Sequence, residues 1–296
     1  MKVAKVIATC FLPKVHISKT YLVGDPLGYF GHSQKSDTPS DVIDLLKYSI
    51  EQEKLYEPGV NRDLIIVNNN VNYEKGNKFI EEISETKIPF GKIKCITREN
   101  IGRSFGAYNE AFLKFRNDYD FFLFSEDDVI IAKHNYIKIG LEIWKNNPQA
   151  GFVAYISKTK IGRWHWQALG LNKDTAYSCH GATGLCSTKI LDKVVEKHGC
   201  LPYYRGAERN KDITYGEVAF PNSILQLGHK IIDLPKNMVL SVPAYDLQRG
   251  LNYKKWPSKK EKLLYLFKSN IYKLFSLNNT LLKLYLKILN KLKNKL

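Results

Sequence analysis

The chain has 296 residues, 44% hydrophobic and 12% aromatic, enough apolar side chain for one large α/β domain or a domain with an extension, and too much for a disordered protein. Lysine and arginine number 45 against 29 acidic residues, a formal net charge of +16. No apolar run reaches the ~18 residues of a membrane-spanning helix, and five cysteines without a CxxC spacing favour reduced thiols in a cytosolic protein over a disulfide framework. Cys179, His180, Cys186, His198 and Cys200 match no common zinc spacing.

Taken in order, MKVAKVIATCFLPK is charged and interrupted too early for a signal peptide, and KVIATC reads as a first strand. DVIDLLKYSIEQEKLY has helical spacing, with Thr38 or Ser40 available as its cap. DLIIVNNN is a second strand ending in Asn68, Asn69 and Asn70, and a helix is predicted from Glu74 to Ser84. KIKCITRE (strand), FGAYNEAFLKF (helix), DFFLFSED (strand), HNYIKIGLEIWKNN (helix) and GFVAYIS (strand) follow. Strands alternating with helices of this length predict a mostly parallel sheet with helices on both faces. Beyond it lie an aromatic loop, GRWHWQALG, and a small-residue segment, CHGATGLCS, leading into the helix STKILDKVVEKHG. YGEVAFPNSILQLGHKIIDLP then reads as a helix, broken or started near Pro221, running into a strand.

Three strand ends carry polar groups on one predicted sheet edge: Thr9 with Cys10, the asparagines 68–70, and Glu126, Asp127 and Asp128 in FFLFSEDDVII. Open parallel sheets place ligands at such ends. Three adjacent carboxylates are costly to bury without a positive partner, and Mg²⁺ or Mn²⁺ suits them because it prefers oxygen ligands and leaves positions for phosphate. By itself the triplet reads equally as a solvated acidic turn. Between the second and third clusters, TRENIGRSFGAYNEAF supplies Arg98, Asn100, Gly102, Arg103, Ser104, Gly106 and Asn109 at a strand-to-helix junction. Its glycines permit a tight turn and close backbone approach, and a helix start with two arginines suits a diphosphate. It is neither a Walker loop nor a GxGxxG fingerprint.

These motifs, in this order, resemble a GT-A type glycosyltransferase of the large inverting family that includes many bacterial polysaccharide enzymes, over roughly residues 1 to 240. ENIGRSFGAYN resembles the family's N-x-G-x-x-x-A-x-N segment and SEDDV its DxD-type metal motif. The resemblance implies Asp128 as ligand of Mn²⁺ or Mg²⁺, with Glu126 and Asp127 touching the metal shell or ribose. It makes Thr9, Asn68, Asn69, Arg98, Asn100, Gly102 and Arg103 donor contacts, although the family has an acidic pair where this chain has asparagines. HGATGLCS resembles the donor-sugar segment, implying that His180, Gly181 and Gly184 line the sugar. TYGEVAFPNSILQLGHKI resembles E-D-x-x-L-x-x-R-x-x-x-G, with Glu217 at the acid position and Gly228 before the strand; Val218 replaces the second acid and the arginine is absent. That implies Glu217 as general base, with Glu208 and Asp212 as other candidates. Trp164, His165 and Trp166 stand where an acceptor loop would be, and their faces suit sugar C–H surfaces or packing on the sheet.

From Ser258 to Leu296 leucines, isoleucines and phenylalanines recur at helical spacing. From Asn252 onward twelve lysines face one glutamate, about eleven of the sixteen net positive charges. A basic amphipathic helix suits an anionic membrane surface; packing on the domain or on a second copy is the alternative, and the aromatic and arginine content of a nucleic-acid reader is missing.

The expectation is therefore an α/β, GT-A (Rossmann-like) domain over 1–250, with a nucleotide-binding half (1–130) and an acceptor or catalytic half (131–250), followed by a basic helical tail (251–296). Its expected activity is metal-dependent, inverting transfer of a sugar from a nucleotide-diphosphate donor to a glycan or lipid-linked hydroxyl. The expected setting is cytoplasmic, peripheral on the inner face of the membrane. A sugar-phosphate nucleotidyltransferase would need a Gly-rich, basic signature where this chain has FLPKVHISKTYLVG. A non-catalytic membrane-surface protein on the same fold is the other alternative.

Overall fold

A computed structural model of the protein describes residues 1–11, 42–156, 158–160, 167–172, 174–206, 211, 213–235 and 238–241. These belong to one unit, Met1–Val15 with Asp41–Ala244. The expectations for Thr38, Ser40, Trp164, His165, Trp166, Glu208, Asp212 and the lysine-rich tail lie outside the described residues.

The apolar runs form β1 (Val3–Thr9), β2 (Arg62–Asn68), β4 (Gly91–Thr97), β5 (Phe121–Glu126) and β7 (Ala150–Ala154), each within about two residues of its predicted ends except β7, which stops three residues early. Shorter strands are β3 (Lys87–Ile88), β6 (Val129–Ile131), β8 (Thr159–Lys160), β9 (Tyr177–Ser178), β10 (Gly184–Ser187), β11 (Lys230–Asp233) and β12 (Val239–Ser241). Eight of them make one sheet in the order β11-β7-β10-β5-β1-β2-β4-β3. The pairs β5–β1, β1–β2, β2–β4 and β7–β11 are parallel. The exceptions are the edge strand β3 and the interior strand β10, which is antiparallel to both β5 and β7. Two further pairs, β6–β12 and β8–β9, stand outside this sheet. No helix among the described residues is long and apolar enough to cross a membrane.

Both sheet faces are covered, which is why the strands read as near-continuous apolar runs. Alternate residues diverge: Val6, Ile65, Phe122 and Phe124 pack on one side with Phe105, Tyr108 and Phe112 of α3 (Arg103–Phe115), α5 (Thr188–His198) and α6 (Ala219–Leu225). Ile7, Leu64 and Ile66 point the other way, toward α1 (Val42–Leu55) and α2 (Glu74–Ile83), while Leu123 and Val153 meet α4 (Tyr136–Asn146). The helix expected to be broken or started near Pro221 starts at Ala219. A π-helical turn, Ile213–Val218, runs into α6, whose first turn accommodates Pro221 because a first-turn N–H has no intrahelical acceptor.

Two neighbouring strands carry charge into the core. Lys5 of β1 and Arg62 of β2 are fully buried against Glu53 of α1: Lys5 Nζ lies 2.5 Å from Glu53 Oε1 and Arg62 donates to Oε2 at 3.0 Å. The Tyr136 hydroxyl also donates to Oε2, at 2.6 Å.

Candidate functional site

β5 delivers three carboxylates in succession at its carboxyl end. Ser104 Oγ, from the first turn of α3, donates to Glu126 Oε1 at 2.6 Å. Thr9 Oγ1, at the end of β1, donates to Asp127 Oδ2 at 2.5 Å, and the Asp127 amide donates to the Ala8 carbonyl at 3.1 Å. Asp128 is different: its Oδ1 is buried with no hydrogen-bond partner among the described residues. Burial, with Glu126 beside it, lifts the Asp127 carboxyl to about 7, despite the opposing Thr9 bond. Burial, Glu126 and Asp127 drive Asp128 well above the ordinary carboxylate range. A buried oxygen with no donor beside two more carboxylates is a fit for a hard cation. Among the described residues no three His, Cys, Asp or Glu side chains gather so as to hold a metal by themselves. The arrangement thus suits an ion that takes one or two protein carboxylates and fills its remaining positions with phosphate oxygens and water, as Mg²⁺ does.

The turn into α3 forms one wall. Gly102 (φ 76) and Arg103 (φ 46) are both left-handed, a conformation that costs about 1 kcal/mol or more for a non-glycine residue. A Cβ at Gly102 would lie 2.2 Å from the Tyr203 ring, and one at Gly106 would lie 2.0 Å from the Ile101 carbonyl, so both glycines are fixed by contact. No side chain caps α3, leaving its N-terminal dipole for an anion, with Arg98 and Arg103 nearby. Arg98 donates to Asn69 Oδ1 at 2.6 Å and to the Ile101 carbonyl at 2.9 Å.

Opposite stands a second left-handed pair, Gly181 (φ 56) and Ala182 (φ 44), in a 3₁₀ turn. A Cβ at Gly181 would lie 2.7 Å from Glu126 Oε2. The Gly181 carbonyl accepts from the Tyr108 hydroxyl at 3.0 Å. Tyr108 is fully buried, and its hydroxyl is pushed well above its usual range by that burial, then by Glu126, Asp128, Asp127 and Glu217. Glu217 therefore belongs to the same acidic surroundings as the triplet. It lies in the π-helical turn, with its carbonyl accepting the Cys179 amide at 3.2 Å.

Comparison with known proteins finds no matching family model and no matching curated protein.

Thr9 is bonded to Asp127, the carboxylates 126–128 and 217 all act on the Tyr108 hydroxyl that bonds the Gly181 carbonyl, and Asn69, Arg98, Gly102 and Arg103 meet at the start of α3. Other expected contacts face elsewhere. Asn68 is fully buried, its amide spent on the Asn70 carbonyl (3.1 Å) and Asn77 Oδ1 (2.9 Å), and its Oδ1 on the Asn70 amide (3.0 Å). Asn69 is also committed internally, donating to the Arg103 carbonyl at 3.3 Å besides accepting from Arg98. These asparagines brace the strand end. Asn100 is exposed and reaches Cys10 Sγ at 3.5 Å. Gly184 does not line the site: it lies inside β10, where a Cβ would meet the Phe152 ring at 2.3 Å. Asn109 is buried and accepts the Leu201 amide at 2.9 Å. For His180 the structure describes the backbone only, within the 3₁₀ turn.

The sequence places Ser104 in the turn into α3 but does not reveal its bond to Glu126, and it marks neither Tyr108 nor a tyrosine shelf as part of the site. Tyr204 and Tyr215 stack at 5.8 Å, and Tyr203 covers Gly102. The clustering of tyrosine around Gly102 and the π-helical turn was in the sequence (LPYYRG and ITYGEV), but only the fold brings the two segments together.

Proposed function

We propose that this protein is a metal-dependent glycosyltransferase that moves a sugar from a nucleotide-diphosphate donor to a hydroxyl of a bacterial surface glycan. The observation that carries the reading is the triplet at the end of β5, with Asp128 Oδ1 buried and without a partner while Glu126 and Asp127 are pinned by Ser104 and Thr9. Asp128, helped by Asp127, would hold Mn²⁺ or Mg²⁺, which when bound neutralises charge on the departing diphosphate. Arg98, Arg103 and the uncapped start of α3 bind and orient that diphosphate. Glu217 takes the proton from the acceptor hydroxyl as its oxygen attacks, which inverts the anomeric centre in one displacement. The tyrosine shelf beside the π-helical turn offers an aromatic face to the acceptor. The lysine–leucine tail keeps the enzyme on the anionic inner face of the membrane, where a lipid-linked acceptor is presented.

Thermal melting against nucleoside diphosphates, with and without Mn²⁺, tests this. A ligand at 100 times its Kd stabilises by about 2.7 kcal/mol, an easily read rise in Tm. One nucleotide family should produce the rise, only with the cation, and Asp128→Asn should abolish it while melting no lower than the wild type in the absence of ligand. Glu217→Gln should keep the rise and lose turnover. The absence of any nucleotide- or cation-dependent shift in the wild type overturns the reading.

A further inference from the structure

The outer face of α5 carries a row of lysines. Lys189, Lys193 and Lys197 recur every fourth residue, all exposed, and none of the three pairs with a carboxylate among the described residues. Residues four apart on a helix lie one above the next, so the row is a stripe about 12 Å long. Like charges at this spacing are mildly unfavourable, and Lys189 stands in the first turn, where the helix dipole disfavours a cation. Only Lys197, in the last turn, suits the dipole. Lys193 also acts beyond its own helix. Burial first and then Lys193 lower His229, so the stripe faces the turn between α6 and β11.

The stripe has a direction. Asp192 of α5 meets Arg116 just past the end of α3, at 3.3 Å. The Leu201 amide beyond α5 donates to Asn109 in the middle of α3, and Tyr203 lies on Gly102 at its start. α5 therefore climbs along α3 toward the sheet edge that holds the carboxylates. It leads into the tyrosine shelf, where two more cations lie over rings. Arg205 is 5.8 Å from the Tyr203 centroid and Lys211 is 5.7 Å from that of Tyr204. Tyr204 stacks on Tyr215, which is 38% exposed and shares the π-helical turn with Glu217. Cations and aromatic rings beside a carboxylate base suit a sugar that itself carries negative charge.

We propose that Lys189, Lys193 and Lys197, with Arg205 and Lys211 at the shelf, form a track for an acidic acceptor glycan, one with carboxylates or phosphodiesters along its chain. This deepens the glycosyltransferase reading and rests on it. Charge along the track holds successive acidic units, while the shelf and Glu217 receive the terminal hydroxyl. An anionic membrane could also meet exposed lysines, but a line that ends at the shelf fits a chain better than a surface.

The test is calorimetric titration of the full chain with hexagalacturonate, a hexamer of glycerol phosphate and neutral maltohexaose, beside sedimentation with phosphatidylcholine vesicles containing phosphatidylserine. At least one acidic hexamer should bind, more weakly as salt is added, and maltohexaose should bind at least tenfold less well. Replacing all three α5 lysines with glutamine should weaken the acidic hexamer about tenfold, the worth of three exposed charge contacts. Arg205→Gln, at an exposed position, is an independent variant and should weaken it two- to threefold. Tyr215→Ala should weaken it too, which attraction by charge alone would not produce. A control with Lys283, Lys287 and Lys291 of the tail changed to glutamine loses the same charge and should bind the hexamer as the wild type does. Equal losses in the α5 and tail variants, or an α5 variant that loses vesicle binding and keeps the hexamer, overturn the inference. So does a wild type that binds neither acidic hexamer, or binds maltohexaose as well. None of these results touches the nucleotide- and Mn²⁺-dependent rise in Tm, on which the glycosyltransferase reading stands or falls separately.

Discussion

Asp127 shows how little of a carboxylate's behaviour lies in its own chemistry. Its carboxyl is lifted to about 7 by burial and Glu126, so in the metal-free protein it contributes most when protonated, and that contribution is lost as pH rises from about 4 toward 7. A cation binds the ionised form, so its stabilising effect must run the other way. The Mn²⁺-dependent rise in Tm should therefore grow between about pH 5.5 and about pH 8. A flat response over that range would disconnect Asp127 from the cation. Because the Thr9 hydroxyl pulls Asp127 down, Thr9→Val should move the same profile to higher pH. The carboxylates were legible in the sequence because three acids after FFLF are conspicuous. Their braces were not. Thr9 is 118 residues from Asp127, and Ser104 is 22 from Glu126; nothing local marks either hydroxyl as a partner. The asparagines misled for the same reason. Their place at a strand end was visible, but whether an amide faces a ligand or the next turn depends on Asn77, Phe11 and Arg98.

Among elements, the two left-handed pairs that flank the triplet are the informative ones. Strained backbone persists only where the surroundings hold it, and such positions gather at functional sites. Arg103 is the sharper case, since a glycine there would relieve the strain at the loss of a guanidinium. Arg103→Gly should raise stability by up to about 1 kcal/mol in denaturant titration and weaken nucleotide binding. A variant that loses stability, or binds nucleotide as tightly as before, would remove Arg103 from the diphosphate site. The long elements were legible because parallel strands covered on both faces are unbroken apolar runs and the helices keep their periodicity. β10 was not. At four residues, with glycine and cysteine in place of branched side chains, GLCS lacks the strand pattern, and Gly184 is there because Phe152 leaves no room for a side chain. The π-helical turn has no sequence pattern of its own, so Glu217 was expected at a helix start and lies instead in the wider turn before one.

For the molecule as a whole, stability also rests on buried charge that no local pattern announces. Lys5 sits within an apolar strand and Glu53 within an amphipathic helix, and only the fold joins them with Arg62 and Tyr136. Burial alone would raise the Glu53 carboxyl; Lys5 and Arg62 outweigh it and hold the carboxyl below its ordinary value. Its contribution is thus present above about pH 4.5 and lost as pH falls further, opposite in sign to that of Asp127. Glu53→Gln should cost about 3–5 kcal/mol by leaving buried cations unpaired. Lys5 is four residues before Thr9, about 13 Å along β1, so any folded fraction should keep its nucleotide-dependent shift. Loss of that shift from folded protein would tie the cluster to the site.

The antiparallel strand β10 has a consequence for how the chain assembles. β5, which ends in the carboxylates, pairs on one side with β1 and on the other only with β10, and β10 arrives some sixty residues later in the chain. Until then an apolar strand has an open edge, a template for pairing with a second molecule. Nascent chain that has emerged through α4 is therefore at its most aggregation-prone, and β10 must run in reverse into the slot between β5 and β7 to close it. A fragment ending at residue 146 should self-associate where the full chain does not, as sedimentation would reveal. The sheet thus closes beside β5 only when β10 arrives, and the acidic surroundings are completed later still by the π-helical turn that carries Glu217.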